Sequence, residues 1–411
     1  MLLYHIAVIL LALAVGIGYI NHRYIKMQST IAITSGALLI SLILIVLRQF
    51  GLTHAEVHAA QLIEKIDFNK LLLNGMLSFL LFAGALTVDL EDLKKQKWEV
   101  GVLAGFSTLA SAALIGLGAY GLSHLLGLHL PILYCFLFGA LISPTDPIAV
   151  LATLKEIKAP KNIHTLIAGE SLFNDGMGIV LFLTLYQVAF AETAPTWQGT
   201  AWLFCQETLG GLLYGYILGL VSYRLIAAID DHKLEILLTV VAVTAGYLGA
   251  ECLNVSGPLA MVVCGIFLGN RKGDYFMKKQ TREYLDTFWE CIDELLNALL
   301  FLLIGLECLT LHLTHTALIA AVLTIPLALF VRWLTVSIPV ASFRKRNAYP
   351  TYTIRLLTWG GLRGGLAVAM ALALPDTSER GLVLAMTYAV VVFAVIVQGL
   401  SAKKLVEKIS G

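Results

Sequence analysis

Apolar runs of about 20 residues recur along the whole chain, separated by short polar connections. A helix needs about 20 apolar residues to cross a bilayer, whereas barrel strands show short alternating segments. The pattern therefore predicts an all-α polytopic membrane protein of about thirteen transmembrane helices, a single transmembrane domain over residues 1–411 with no soluble domain. The predicted spans begin near residues 2, 30, 71, 99, 130, 163, 200, 234, 255, 286, 314, 350 and 380.

Composition narrows the class of protein to which the chain can belong. Hydrophobic residues make up 58% of the chain and charged residues only 13%, against about 25% charged in soluble domains. There is no basic patch of the kind that binds nucleic acid. The six cysteines are scattered singly and there is no HExxH motif, which argues against a zinc enzyme. We therefore expect no enzyme activity, no cofactor and no nucleic-acid partner.

The distribution of cations predicts the orientation. Most of the 28 basic residues fall in every second connection, and such connections lie on the cytoplasmic side. We expect a multi-pass protein of the cell (inner) membrane with its N-terminus outside and its C-terminus in the cytoplasm. The connection from about Phe50 to Lys70 is predicted to be an amphipathic surface segment.

Two of the predicted spans contain helix-breaking residues. One carries Pro144 and Pro147 around Thr145-Asp146, and the other carries four glycines around Arg363. The two spans lie seven apart in the series, so they run in opposite directions across the membrane. Two crossed, discontinuous helices of an inverted repeat are typical of a transporter whose binding site lies near mid-membrane.

A polar stripe marks the stretch "GESLFNDGMG". Glu170 and Asn174, and likewise Ser171 and Asp175, stand four residues apart and form two adjacent pairs on one helix face. The unwound Thr145-Asp146 segment is expected to face them. Hard oxygen ligands of this kind suit an alkali cation.

The charges inside the membrane have to be balanced. Arg332 and Arg363 lie deep in apolar runs, and an unpaired arginine there is costly. We assign Glu170 as the partner of Arg363, which leaves Asp175 and Asp146 to bind the ion. A buried aspartate must hold either a proton or a cation, and a site always loaded with one of them is an exchanger.

The motifs "SPTDPIAVLATL", "AGESLFNDGMGIVLF", "SGPLAMVVCGIFLGN", "LLNALLFLLIGLE" and "WGGLRGGLAVAMALALP" resemble the monovalent cation/proton antiporter family, specifically its NhaP-type sodium/proton exchangers. The resemblance implies a homodimer in the lipid bilayer. Core helices would lie at about 71–193 and 286–404 in part, and dimerisation helices at about 2–48 and 200–270 in part.

The resemblance also implies residue roles. Asp175 would be the essential ion- and proton-binding carboxylate, with Asp146, Thr145 and Ser171 as further Na⁺ ligands. Glu170 and Asn174 would support the site, paired with Arg363, and Arg332 would be a supporting residue. The neutral Asn174 beside Asp175 is typical of electroneutral relatives.

The sequence therefore predicts an electroneutral antiporter that exchanges Na⁺ or Li⁺ for H⁺. Three alternatives remain: K⁺ in place of Na⁺, a passive cation channel, and an intramembrane protease that would use Asp146 and Asp175. A protease would leave Asn174 and Arg363 without a role.

Overall fold

The computed structural model describes residues 2–49, 75–147, 150–151, 154, 161–191, 196–270, 279–307, 315–343, 350 and 352–410. The predicted surface segment at residues 50–70 lies outside this part. The described residues form helices joined by short turns.

The first half of the chain supplies the helices that carry the polar stripe and the first break. They are α1 (Leu2–Ile20), α2 (Ser29–Gln49), α3 (Leu77–Leu86), the short α4 (Leu90–Lys95), α5 (Lys97–Gly101), α6 (Thr108–Leu125), α7 (Ile132–Ile142) and α8 (Lys161–Phe190). A π-helical turn at Asn21–Ile25 extends α1, and another at Val102–Ser107 joins α5 to α6.

The second half supplies the second break. Its helices are α9 (Trp197–Ala227), α10 (His232–Cys252), α11 (Gly257–Gly269), α12 (Lys279–Glu307), α13 (His315–Phe343), α14 (Thr353–Gly360), α15 (Gly365–Leu372), α16 (Ser378–Phe393) and α17 (Gly399–Ser410). A π-helical turn at Ala394–Gln398 joins α16 to α17.

The helices match the predicted membrane architecture. Within the described residues, seven helical stretches are long and apolar enough to cross a bilayer, and four further apolar helices are shorter. The all-α polytopic fold is thus confirmed, while the count of thirteen spans stays a prediction. So does the division into core and dimerisation helices.

Both predicted helix breaks are present, and they cross. Helix α7 ends at Ile142, and the chain then leaves the helical path through Pro147; α14 ends at Gly360 and α15 begins at Gly365. At the crossing, the Asp146 amide donates to the Leu362 carbonyl at 2.8 Å, as an isolated antiparallel bridge. The backbone groups freed by the two breaks thus satisfy each other inside the protein, as they must at this depth.

Glycine and proline let the crossing segments approach. A Cβ at Gly364 would stand 2.7 Å from Oδ2 of Asp146. A Cβ at Gly178 would collide with the ring of Pro144, so α8 packs directly against the first break. Helix α8 also packs against α7, α9 and α11, which places its polar stripe next to the crossing point.

Candidate ion-binding site

Thr145, in the first break, is fastened to α8 through all of its polar atoms. Its amide donates to Oδ1 of Asn174 at 3.2 Å, and its hydroxyl accepts from Nδ2 of the same side chain at 2.8 Å. Its carbonyl accepts a short hydrogen bond from the Ser171 hydroxyl. All three residues are buried. Half of the predicted polar stripe therefore holds the unwound segment in place.

The buried ion pair joins Glu170 to Arg332. Nη1 and Nη2 of Arg332 donate to the two carboxylate oxygens of Glu170 at 2.5 and 2.9 Å, in the bidentate geometry that makes such pairs strong. Glu170 is 1% exposed and Arg332 4% exposed. The predicted pairing of Glu170 with Arg363 is therefore wrong, because both oxygens of this carboxylate are already engaged by a different guanidinium.

Arg363 instead binds the end of the first half-helix. Its Nη1 donates to the carbonyls of Ser143 and Pro144 at 2.9 and 2.8 Å. No hydrogen bond joins it to Asn174, whose amide is used by Thr145, so that part of the expectation is also wrong. Carbonyls at a helix C-terminus carry partial negative charge and lack partners along the helix. A guanidinium there satisfies them without a carboxylate.

Arg332 makes the corresponding contact in the other half of the protein. Its Nε and Nη2 donate to the carbonyl of Leu357 at 3.3 and 3.2 Å, near the end of α14. Each broken helix thus ends against one buried arginine. Gly361, just past the end of α14, is required here because a Cβ would stand 2.7 Å from Nε of Arg332.

Asp146 and Asp175 lie near each other, and both keep part of their surface accessible. They lie close enough for their charges to repel, and Arg363 is close enough to Asp175 to attract it. No hydrogen bond to the Asp175 carboxylate is found within the described part of the chain. The structure therefore brings together all eight predicted site residues but gives the two arginines different partners.

A model of the family described as sodium/hydrogen exchanger, transmembrane, matches residues 45–408. The chain belongs to the sodium/hydrogen exchanger family. It is 45% identical over 403 residues to the Na⁺/H⁺ antiporter NhaP of Pseudomonas aeruginosa, covering 97% of this chain and 95% of that protein. It is 35% identical to the Na⁺/H⁺ antiporter NhaH of Halobacillus dabanensis, covering 83% and 84%.

The fold of this exchanger-family chain also matches a solved structure. The sodium proton antiporter MjNhaP1 from Methanocaldococcus jannaschii at pH 8 superimposes with a TM-score of 0.77 over the whole of both chains, at 19% identity. At this identity the likeness supports the fold alone. Family and fold together make the chain a multi-pass membrane transporter of the Na⁺/H⁺ antiporter class, as the motifs predict.

Sequence reasoning missed one feature of this exchanger-family site. It considered only carboxylates as partners for the buried arginines, whereas both arginines also bind carbonyls that the helix breaks leave free. The presence of two breaks and two deep arginines was the available signal, because each break frees a half-helix C-terminus.

Proposed function

We propose that this chain exchanges Na⁺ (or Li⁺) for H⁺, one for one, and that both ions compete for the Asp175 carboxylate by alternating access. The observation that carries the proposal is the surroundings of Asp175. It lies where two broken helices cross, beside Asp146, and no hydrogen-bond donor in the described residues satisfies it.

A carboxylate in such a place is unfavourable as a bare anion. Inside a protein it has lost water, and a neighbouring carboxylate disfavours its charge further. Binding a proton or a monovalent cation removes both penalties. A site that needs one of the two at all times, and can hold only one, couples their movements in opposite directions.

The remaining site residues supply ligands and rigidity. The Thr145 carbonyl and the Ser171 hydroxyl bind each other, yet each oxygen keeps a lone pair that a cation can use. Asn174 holds the amide and hydroxyl of Thr145, which fixes the direction of that carbonyl. Asp175, Asp146, Thr145 and Ser171 are thus the proposed Na⁺ ligands, with Asn174 and the Glu170–Arg332 pair as support.

The charges at the site favour electroneutral exchange. Three carboxylates, those of Glu170, Asp146 and Asp175, face two guanidiniums, those of Arg332 and Arg363. One negative charge is left over, and a single Na⁺ or a single H⁺ cancels it. The loaded site then carries the same charge in both directions of transport.

The assembly and setting belong to the same proposal. We infer a homodimer in the cell membrane, with the N-terminus outside and the C-terminus in the cytoplasm. Apolar side chains lie exposed along α9 and α10, a surface suited to lipid or to a second protomer: Trp202, Leu209, Leu213, Leu237, Val241 and Leu248. Na⁺ and H⁺ are cargo, and the proposed mechanism uses no cofactor.

Replacing Asp175 by asparagine tests the proposal most directly. Asp175→Asn should reduce cation-driven proton flux to the level of protein-free vesicles, because a carboxamide can neither hold a proton nor balance a cation. The measurement uses purified protein in sealed vesicles that contain a pH-sensitive dye, with imposed gradients of Na⁺, Li⁺ and K⁺.

Asp376→Asn is the matched control, since it removes the same charge from a side chain that is 96% exposed. It should transport like the wild type. Substantial proton flux in Asp175→Asn would show that Asp175 does not have the proposed role. Proton flux in the wild type that is driven by K⁺ but not by Na⁺ would show that K⁺ is the transported cation.

A further inference from the structure

A small cavity lies beside the crossing of the two broken helices. It is lined by Asp146 of the first break, by Arg363 of the second, and by Thr30, which stands in the first turn of α2. The cavity has room for about one water-sized particle. Helix α2 carries none of the predicted site residues, so the cavity brings a further helix to the edge of the site.

Among the described residues that line this cavity, only Thr30 and Asp146 carry side-chain oxygens. The others are Arg363 and apolar residues such as Ile31 and Phe301. These others are all buried, whereas Thr30 and Asp146 keep part of their surface accessible. The polar, accessible part of the lining is therefore a hydroxyl and a carboxylate, the kind of hard oxygen donors that suit an alkali cation.

The Thr30 hydroxyl is available to a ligand. It makes no hydrogen bond within the described part of the chain, while the Thr30 carbonyl accepts one from the hydroxyl of Thr34 at 2.9 Å. A threonine hydroxyl has two lone pairs. Both of them remain for a cation that enters the cavity.

The start of α2 is held in place on both sides of Thr30. Before it, Asn21 and Met27 exchange two hydrogen bonds, from the Asn21 Nδ2 to the Met27 carbonyl at 2.7 Å and from the Met27 amide to the Asn21 Oδ1 at 2.9 Å. After it, Ile31 packs against the start of α17, where a Cβ at Gly399 would stand 2.9 Å from Cδ1 of Ile31. These contacts fix Thr30 as part of the cavity lining.

The charges around the cavity increase the importance of a neutral oxygen. One carboxylate, that of Asp146, and one guanidinium, that of Arg363, line it, so their formal charges cancel. A cation in the cavity gains little from net charge and depends on the oxygen dipoles that surround it. A hydroxyl supplies such a dipole to a metal ion, whereas a proton bound to a carboxylate needs no further ligand.

We propose that the cavity between Thr30 and Asp146 is a binding position for the transported cation, and that the Thr30 hydroxyl is one of the ligands there. This inference rests on the proposed function. The hydroxyl acts on the metal ion and not on the proton, so it favours Na⁺ or Li⁺ over H⁺. The charged residues of the site cannot make this distinction, because Na⁺ and H⁺ carry the same charge.

A ligand that acts only on the metal ion has a distinctive signature. When two ions compete for one site, the apparent Na⁺ dissociation constant is the intrinsic constant multiplied by a factor that depends on the pH and on the proton affinity. Losing the hydroxyl changes only the intrinsic constant, so the apparent constant should rise by the same factor at alkaline and at acidic pH. A change that acted through the charge of Asp146 would weaken both ions, and its effect would disappear at acidic pH.

The test is equilibrium binding of radioactive ²²Na⁺ to the purified, detergent-solubilised protein at one alkaline and one acidic pH. Thr30→Val removes the hydroxyl and keeps the shape of the side chain. We expect the dissociation constant to rise about threefold to tenfold at both pH values, the range for the loss of one neutral polar contact. Thr30→Ser keeps the hydroxyl and should bind Na⁺ like the wild type.

Thr34→Val is the matched control. It removes a hydroxyl one turn farther along α2, from a buried residue that does not line the cavity, and it should bind Na⁺ like the wild type. Thr30→Ala also lacks the hydroxyl and provides the same comparison if Thr30→Val does not yield folded protein.

Four results would overturn the inference: an unchanged affinity in Thr30→Val, a loss that disappears at acidic pH, or an equal loss in either Thr30→Ser or Thr34→Val. The proposed function is judged separately, by proton flux in vesicles of the wild type. The absence of that flux removes the exchange reaction, whereas normal flux with an unaltered Na⁺ affinity in Thr30→Val removes only the role of Thr30.

Discussion

Arg332 and Arg363 occupy comparable positions in the fold but have different roles. Both are buried, at 4% and 3% exposure, and each donates to a carbonyl at the end of a broken half-helix. Only Arg332 also forms a bidentate pair with a carboxylate, that of Glu170. Arg363 has no such pair in the described residues and lies instead within reach of the charge on Asp175.

The difference shows that two arginines in similar positions can have separate roles, one in stability and the other in transport. Arg332 and Glu170 neutralise each other and fasten α13 to α8, so their charges do not vary with the load. The Arg363 guanidinium is held by neutral carbonyls, so its positive charge remains to offset one of the two aspartates. The first arginine should therefore govern stability, and the second should govern the charge of the moving site.

The largest expected effect comes from breaking the Glu170–Arg332 pair. Arg332→Ala leaves the Glu170 carboxylate buried without a partner, a change that costs about 3–5 kcal/mol. The melting temperature of the purified protein in detergent should fall accordingly. Glu170→Ala in the same chain should recover part of the loss, because no charge is then left unpaired.

Arg363→Ala combined with Glu170→Ala is the matched comparison. These two residues are not partners, so removing both should destabilise at least as much as the worse single change. A double variant of Glu170 and Arg332 that melts no higher than its worse single variant would contradict the assignment, and so would a rescue through Arg363.

A second effect concerns voltage. If the loaded site is neutral, neither the rate nor the equilibrium of exchange should respond to membrane potential. Removing the positive charge in Arg363→Gln leaves the loaded site negative with either ion. The equilibrium should stay insensitive, but the transport rate should become voltage-dependent. One charge crossing the whole field is worth about 2.3 kcal/mol per 100 mV, an upper limit of roughly fiftyfold in rate.

The measurement is Na⁺-driven proton flux in vesicles clamped with K⁺ and valinomycin at several potentials, after a check that K⁺ itself is not transported. Lys97→Gln, which removes a positive charge from an exposed side chain, is the control and should behave as the wild type. A wild-type equilibrium that shifts with potential would mean that a second proton is carried, and the charge assignment would fail.

The sequence predicted the fold, and it predicted which candidate residues the structure brings together, because both depend on local signals. Apolar run length predicts the spans, Pro144 and Gly364 mark the breaks, and the four-residue spacing of Ser171 and Asp175 predicts the stripe. The partner of Glu170 depends on a contact 162 residues away in the chain. The free-energy cost of burying an unpaired charge predicts that a buried arginine has a partner. It does not predict which of the two deep arginines pairs with Glu170, and only the three-dimensional contacts distinguish them.

The smallest expected effect comes from an ion pair on the same helix as Glu170 but at its surface. Lys161, the first residue of α8, lies 2.5 Å from the Asp92 carboxylate of α4. The ammonium groups of Lys161 and then Lys95 lower the pKa of Asp92 from 3.8 to about 2. A lowered carboxylate pKa contributes stability that is present above the unfolded value and is lost as pH falls through about 2.

Lys161→Gln should therefore lower the melting temperature far less than Arg332→Ala, because water and salt screen a lysine that is 74% exposed. The small difference from the wild type should stay constant between about pH 5 and pH 9, since Asp92 remains ionised throughout. Melting curves across that range, at low and high salt, check both points. A loss as large as that of Arg332→Ala, or one that grows between these pH values, would show that the surface pair fastens α8 as firmly as the buried pair does, and the contrast between burial and exposure would not explain the stability of this helix.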